Sequence, residues 1–104
     1  MVINKLTSKQ RAKLRGFANT IQPVTQVGKS GVTPELIKTV DTCLESRELI
    51  KLSVLETAGI TAREAADSVS EATGADVVSV IGRKFVLFRV SSKEENRKIS
   101  PELK

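Results

Sequence analysis

Apolar residues recur along the chain with two different periods, and this pattern predicts three helices and four strands. Near the N-terminus they repeat every three or four residues, which is typical of a helix with one buried face. The predicted buried arc consists of Leu6, Gln10, Leu14, Phe17, Ala18 and Ile21. Thr7 or Ser8 can cap this helix, which is expected to run to about Asn19. Pro23 ends the helical pattern, and the β-branched run VTQV then predicts a short strand before Gly28.

A second helix is predicted to begin at Thr33, which is a good N-cap residue. Pro34 suits the first helical position, and Glu35 suits the positive end of the helix dipole. The buried stripe of this helix consists of Leu36, Ile37, Val40, Cys43 and Leu44. Residues 48–55, ELIKLSVL, then alternate apolar and polar side chains, which predicts a strand with one covered face.

A third helix is predicted from Thr61 and Glu64, which have the spacing of a capping box, and it ends at Gly74. Its thin apolar face consists of Ala62, Ala65, Ala66, Val69 and Ala72. Residues 76–81 and 84–90 predict two strands joined by a two-residue hairpin turn. The order α-β-α-β-α-β-β predicts an α/β two-layer sandwich with one mixed four-stranded sheet.

Length and composition predict one domain. The chain has 104 residues, of which 39% are apolar and 28% charged, as in an ordinary globular domain. Residues 1–92 are expected to form this domain, while residues 93–104 are polar, show no period and predict a mobile tail. The sequence lacks a run of about 18 apolar residues, and its basic N-terminus lacks the apolar core of a secretory signal. A cytoplasmic protein without a membrane partner is therefore expected.

Positive charge is concentrated in the first third of the chain. The net charge is +5, yet residues 1–31 hold six basic residues and no acidic one, whereas residues 32–104 are close to neutral. A surface that only kept the protein in solution would mix both signs. The segregation therefore predicts an anionic partner on one side of the fold.

The letters GKS at positions 28–30 invite comparison with a nucleotide-binding P-loop. That motif requires a first glycine five positions before the second, and position 23 is Pro23, which has a fixed φ and no amide proton. A nucleotide site is therefore excluded on spacing. What remains is the Gly-x-x-Gly loop of Gly28, Lys29, Ser30 and Gly31, directly before a strong helix start. Its glycines let a ligand approach the main chain, as in the loop with which KH modules clamp a nucleic-acid backbone.

At this point the sequence resembles a known family. The runs LTSKQRAKLR, QPVTQVGKSGVT and ELIKLSV, and more loosely VVSVIGRKFVLFRV, resemble the CRM domain, named for chloroplast RNA splicing and ribosome maturation. The resemblance spans about residues 6–90 and is strongest to the small stand-alone bacterial YhbY form. It implies a fold similar to the C-terminal domain of bacterial initiation factor three. It also implies RNA contact through the loop, and association with precursors of the large ribosomal subunit.

The candidate RNA-binding residues follow from the loop, the basic first helix and the tip of the hairpin. They are Gly28, Lys29, Ser30, Gly31, Lys5, Lys9, Arg11, Lys13, Arg15, Arg83 and Lys84. Because the lysines and the arginines lie on different flanks of the first helix, only some of them can face one ligand. Aromatic stacking is limited, because the chain has only three aromatic residues and Phe17 lies on the buried arc. Phe85 and Phe88 must point to opposite faces of the sheet, so one of them could be accessible to a base, although packing beneath a helix or the tail is favoured.

A non-catalytic protein is expected because the chain has no histidine, its lone Cys43 lies in a predicted core stripe, and no carboxylate pair stands at a recognisable turn. No cofactor, metal or small-molecule substrate is predicted. The preferred interpretation is a monomer that binds ribosomal RNA during large-subunit assembly. The alternative is a ribosome-associated adaptor that binds an acidic protein surface.

Overall fold

The computed structural model describes residues 6–103, and it confirms the α/β class and the order of the elements. The helices and strands are α1 (Ser8–Ala18), β1 (Pro23–Val27), α2 (Pro34–Arg47), β2 (Leu49–Val54), α3 (Ala62–Thr73), β3 (Asp76–Ile81) and β4 (Lys84–Phe88). Short 3-10 turns follow β2 and β4, at Glu56–Ala58, Glu94–Asn96 and Ser100–Leu103. No helix among residues 6–103 is long and apolar enough to cross a membrane.

Threonine caps fix the start of each helix. Thr7 forms a capping box with Gln10, Thr33 accepts a hydrogen bond from the amide of Leu36, and Thr61 forms the predicted capping box with Glu64. These bonds satisfy backbone amides that have no partner inside the helix. The three predicted helix starts are thus confirmed.

The sheet has the strand order β1-β2-β4-β3. β1 and β2 are parallel, whereas β4 is antiparallel to both β2 and β3. Val27 pairs with Val54, and Lys84 pairs with both Ser53 and Ile81. The Gly-x-x-Gly loop, the end of β2 and the β3–β4 hairpin tip therefore meet at one end of the sheet. We call this the loop end.

Helices lie on both faces of the sheet, which differs from the predicted two layers. α2 and α3 cover a core that contains Ile50, Leu52, Phe85 and Leu87, whereas α1 covers a second core on the other face. The second core consists of Leu6, Leu14, Ala18, Leu49, Val78, Val86, Phe88 and Leu103. β4 explains the difference, because its last four residues are all buried and a strand without polar alternation needs cover on both faces.

The C-terminal segment also differs from the prediction of a mobile tail. Residues 93–103 fold back onto the domain, and Leu103 is buried in the core beneath α1. Their anchor is Glu48, whose carboxylate accepts hydrogen bonds from the backbone amides of Ser91, Ile99 and Ser100 at 2.8 to 3.0 Å. A polar segment without periodicity predicts a mobile tail, but the buried carboxylate of Glu48 gives the backbone donors of this segment a partner within the fold.

Candidate nucleic-acid interface

The Gly-x-x-Gly loop forms a tight turn that presents its two central side chains to solvent. The amide of Gly31 donates to the carbonyl of Gly28 at 2.9 Å, and both Lys29 and Ser30 are exposed. Gly31 has φ +70°, a conformation in which a side chain would be strained. Apart from Gly31 itself and its two chain neighbours, no heavy atom lies within 4 Å of the position a Cβ would take there, so the main chain is open to a ligand.

Hydrogen bonds fix the chain on both sides of the loop, at the sheet and at the start of α2. Before the loop, the amide of Leu55 donates to the carbonyl of Val27 at 2.9 Å; after it, Thr33 caps α2. The first turn of α2 adds the positive end of a helix dipole close to Lys29, although exposed Glu35 offsets part of this field. Lys29 thus carries the one full positive charge of residues 28–31.

The hairpin tip contributes Arg83 and Lys84 at the loop end. The carbonyl of Arg83 accepts from the amide of Val54 at 2.7 Å, which fastens the tip to β2. The side chain of Arg83 lies 3.7 Å from Glu56, and both side chains are more than half exposed. An exposed pair at this distance contributes little stability, so Arg83 can exchange its partner for a phosphate.

The lysine flank of α1 lies beside the C-terminal segment. Lys13 donates to the carbonyl of Glu102, and Lys9 and Lys13 line a shallow pocket whose other wall includes Glu102 and Leu103. An acidic side chain at this flank makes it a poorer place for RNA than the arginine flank. The predicted site residue Lys5 lies outside the described residues.

The two arginines of α1 have different surroundings. Arg11 is half-buried and donates to the carbonyl of Val77 in β3, next to Asp76. Burial raises the pKa of Asp76, and the positive charge of Arg11 partly offsets this effect. Arg11 thus fastens α1 to the sheet, while Arg15, one turn later, is exposed.

A groove of about 350 Å³ opens beside Arg15, between the C-terminal half of α1 and the sheet. Its cations are Arg15, Lys51 of β2 and Lys84 of β4, and its lining contains no acidic residue. Among residues 6–103 none of these three side chains takes part in an ion pair. The structure thus brings the predicted residues Arg15 and Lys84 together.

Lys51 is the groove residue that the sequence prediction omitted. The alternation in β2 places Lys51 opposite the buried face of Ile50 and Leu52, which suggested a solvated side chain. In the structure, α1 covers one end of the β2 face that carries Lys51. The other end of this face is open to the groove. The available signal was that Lys51 is the single charged residue of β2.

Charge is divided between the two faces of the molecule. α1 carries four basic and no acidic residues, whereas α2 and α3 together carry six acidic and three basic ones. On the acidic side, Arg89 pairs with Asp41 at 2.7 Å and with Glu45 at 3.0 Å. The excess positive charge is therefore confined to the α1 face and the loop end.

The side chains considered for stacking or reactivity are unavailable at this surface. Phe85 and Phe88 lie on opposite faces, as predicted, and both are buried, so neither is available to stack on a base. Cys43 is half-buried against the core beneath α2, less completely than predicted. Residues 6–103 contain no cluster of three potential ligands that could hold a metal ion.

The fold and the charged loop end define a class of small α/β domain with a solvent-exposed Gly-x-x-Gly turn. The model of the CRS1 / YhbY (CRM) domain matches residues 6–89, and the chain belongs to this family. The resemblance that the sequence motifs indicate is therefore confirmed.

Similar proteins include Probable RNA-binding protein YqeI of Bacillus subtilis, which is 38% identical over 94 residues covering 90% of this chain and 96% of that protein. A Probable RNA-binding protein of Methanocaldococcus jannaschii is 41% identical, over 82% of this chain and 64% of its own length. The solution structure of a hypothetical Staphylococcus aureus protein with a proposed RNA-binding role superposes with a TM-score of 0.72. It is 40% identical and the match covers 86% of this chain and 94% of that one.

Proposed function

We propose that this protein is a non-catalytic RNA-binding protein that contacts the RNA backbone through Lys29 and the open main chain of the Gly-x-x-Gly loop. The observation that carries the proposal is the position of this loop at the same end of the sheet as Arg83 and Lys84. Two strand spacings separate β1 from β4, which is roughly 10 Å. One strand of RNA can therefore contact the loop and the hairpin tip together.

The interaction rests on phosphates more than on bases. The exposed groups at the loop end include a lysine, a serine, backbone and arginine or lysine side chains, which are suited to phosphate oxygens. With Phe85 and Phe88 buried, aromatic base stacking is not part of the proposed contact. Recognition is accordingly expected to follow the shape of the RNA backbone.

The biological partner we propose is ribosomal RNA in precursors of the large ribosomal subunit, bound by a monomer. Support comes from the family of the chain and from relatives whose names describe RNA-binding proteins. Crosslinking the protein to RNA in cells and sequencing the attached fragments tests this proposal. Enrichment of large-subunit precursor RNA is expected, and an even spread over cellular RNAs would contradict it.

Salt dependence separates RNA binding from an adaptor role. If about four phosphates are neutralised, the logarithm of the association constant should fall against the logarithm of salt concentration with a slope near −3 for single strands. Fluorescence titration of a labelled single-stranded RNA at several salt concentrations measures this slope. A flat dependence would favour the adaptor that binds an acidic protein surface.

A further inference from the structure

The α1 face of the sheet changes character along its length. On β2 this face reads Leu49, Lys51 and Ser53, and Leu49 lies in the core beneath α1. The opposite face of the same strand is apolar throughout. Because α1 packs on the apolar end only, the sheet is left uncovered toward the loop end, and the groove occupies this uncovered part.

Two cross-strand rows build the floor of the groove. Lys51 of β2 pairs with Val86 of β4, which pairs in turn with Ser79 of β3. In the next row toward the loop end, Lys84 pairs with Ile81. These rows place Lys51 in the inner part of the groove and Lys84 near its mouth. Apolar groups lie between the two cations.

The third cation and the opposite wall come from α1. Arg15 is exposed on the last turns of this helix, and Ala18 and Asn19 complete the wall. Ile81 is 74% exposed at the mouth, where a solvated isoleucine loses the benefit of burial. The groove thus combines three cations with the apolar side chain of Val86 in its floor and that of Ile81 at its lip.

We propose that this groove binds one nucleotide unit of the RNA strand held by the Gly-x-x-Gly loop, an inference that rests on the function proposed above. The phosphate lies between Lys51, Lys84 and Arg15, and the ribose or base packs against Ile81. The volume of about 350 Å³ is within the range of small-ligand sites. Lys51 is a specific contact in this arrangement, because it is half-buried and held in a strand.

The position of the groove favours RNA over a protein partner as the occupant. A groove with three cations and no acid among its lining residues favours an anionic occupant, and an acidic peptide would also be such an occupant. The groove, however, lies on the α1 face and opens beside Lys84 at the loop end, so it continues the surface proposed for RNA. An acidic peptide is accordingly an outcome of the test.

The test compares two double variants that each remove two positive charges. Arg15→Gln with Lys51→Gln changes the groove without touching the hairpin tip, whereas the matched control, Lys38→Gln with Lys93→Gln, removes exposed lysines outside the groove. The full-length proteins are titrated with a labelled 12-nucleotide oligouridylate and, separately, with a polyglutamate peptide. The groove variant should bind the oligouridylate about tenfold more weakly than the control, and its salt slope should be smaller in magnitude by roughly 0.7 to 1.4.

A single variant covers the case in which the half-buried Lys51 cannot be replaced without unfolding. Ile81→Glu puts a negative charge at the exposed lip, and Ala72→Glu on the exposed side of α3 is its control. Ile81→Glu should weaken binding of the oligouridylate, while Ala72→Glu should leave it nearly unchanged.

Equal affinities of groove variants and controls for RNA would overturn the inference. So would a groove variant that loses polyglutamate binding and keeps RNA binding. If loop substitutions weaken RNA binding and groove substitutions do not, only the groove proposal fails. If the wild type does not bind RNA, the proposed function fails as well.

Discussion

Glu48 accepts two hydrogen bonds from Ser100, one from its backbone amide at 2.9 Å and one from its hydroxyl at 2.8 Å. Glu48 is fully buried, and its carboxylate also accepts from the amides of Ser91 and Ile99. It holds φ +65°, a rare conformation for a residue other than glycine. The side chain of Glu48 therefore joins the start of β2 to the C-terminal segment. That segment in turn packs into the core beneath α1 through Leu103.

Replacing Glu48 tests this anchor. Glu48→Gln keeps the volume but turns one acceptor oxygen into a donor that faces the amide of Ser91, so we expect a loss of about 1–3 kcal/mol in the free energy of unfolding. Urea unfolding of the variant and of the exposed control Glu94→Gln measures the difference. Equal stability of the two variants would mean that the C-terminal segment is held by other contacts.

The same substitution carries a structural readout. If Glu48 fastens the segment, limited proteolysis should cut residues 93–103 faster in Glu48→Gln than in the wild type, before the domain itself is degraded. An unchanged cleavage rate would contradict the proposed role of the carboxylate.

Stability at acid pH should depend on Glu45. A hydrogen bond from the Ser92 hydroxyl, with smaller contributions from the Ser92 amide and Arg89, holds the pKa of Glu45 below its ordinary value despite burial. A carboxyl whose pKa is lower in the folded state stabilises the fold above its unfolded pKa, and the contribution is lost as pH falls through the folded value. Glu45→Gln should thus be less stable than the wild type at pH 7.

The difference between Glu45→Gln and the wild type should shrink below the lowered pKa, where both side chains are neutral. Urea unfolding at pH 7 and near pH 3 measures it, with Glu71→Gln on the exposed side of α3 as the control. A difference that is equally large at both pH values would show that the charge of Glu45 is not its cause.

Asp76 should behave in the opposite sense. Burial raises its pKa, so the fold favours the protonated form, and this contribution is present below the unfolded pKa and lost as pH rises through the folded value. Asp76→Asn, which stays neutral, should be more stable than the wild type at neutral pH and similar to it below about pH 3.5, close to the unfolded pKa of an aspartate. A destabilised variant at pH 7 would mean that attraction to Arg11 outweighs the cost of burial.

The sequence predicts those parts of the fold that depend on contacts between residues close together in the chain. The three threonine caps and the hairpin at Gly82 were predictable because each involves residues within a few positions of one another. The placement of α1 opposite α2 and α3 was missed, although the buried run of β4 carried the signal. The anchor at Glu48 joins residues about 50 positions apart, and no local pattern indicates it.

The candidate site likewise has one part that the sequence predicts and one part that it does not. The loop was predictable because its glycines, its lysine and the helix cap behind it are consecutive. The sequence did not predict which flank of α1 faces the loop end, because this depends on where the helix lies on the sheet. The structure separates Arg15 from Lys9 and Lys13, and it adds Lys51, which reaches the same groove from β2.

The central claim is that the open turn of the Gly-x-x-Gly loop holds an RNA phosphate. The most direct measurement is a titration of labelled single-stranded RNA with the variant Lys29→Asp, Ser30→Asp, after circular dichroism has confirmed its fold. Both side chains are exposed, so the fold should persist, and repulsion should weaken binding by on the order of 2–3 kcal/mol relative to Lys38→Asp, Thr39→Asp on exposed positions of α2. A folded loop variant that binds RNA as tightly as this control would contradict the account.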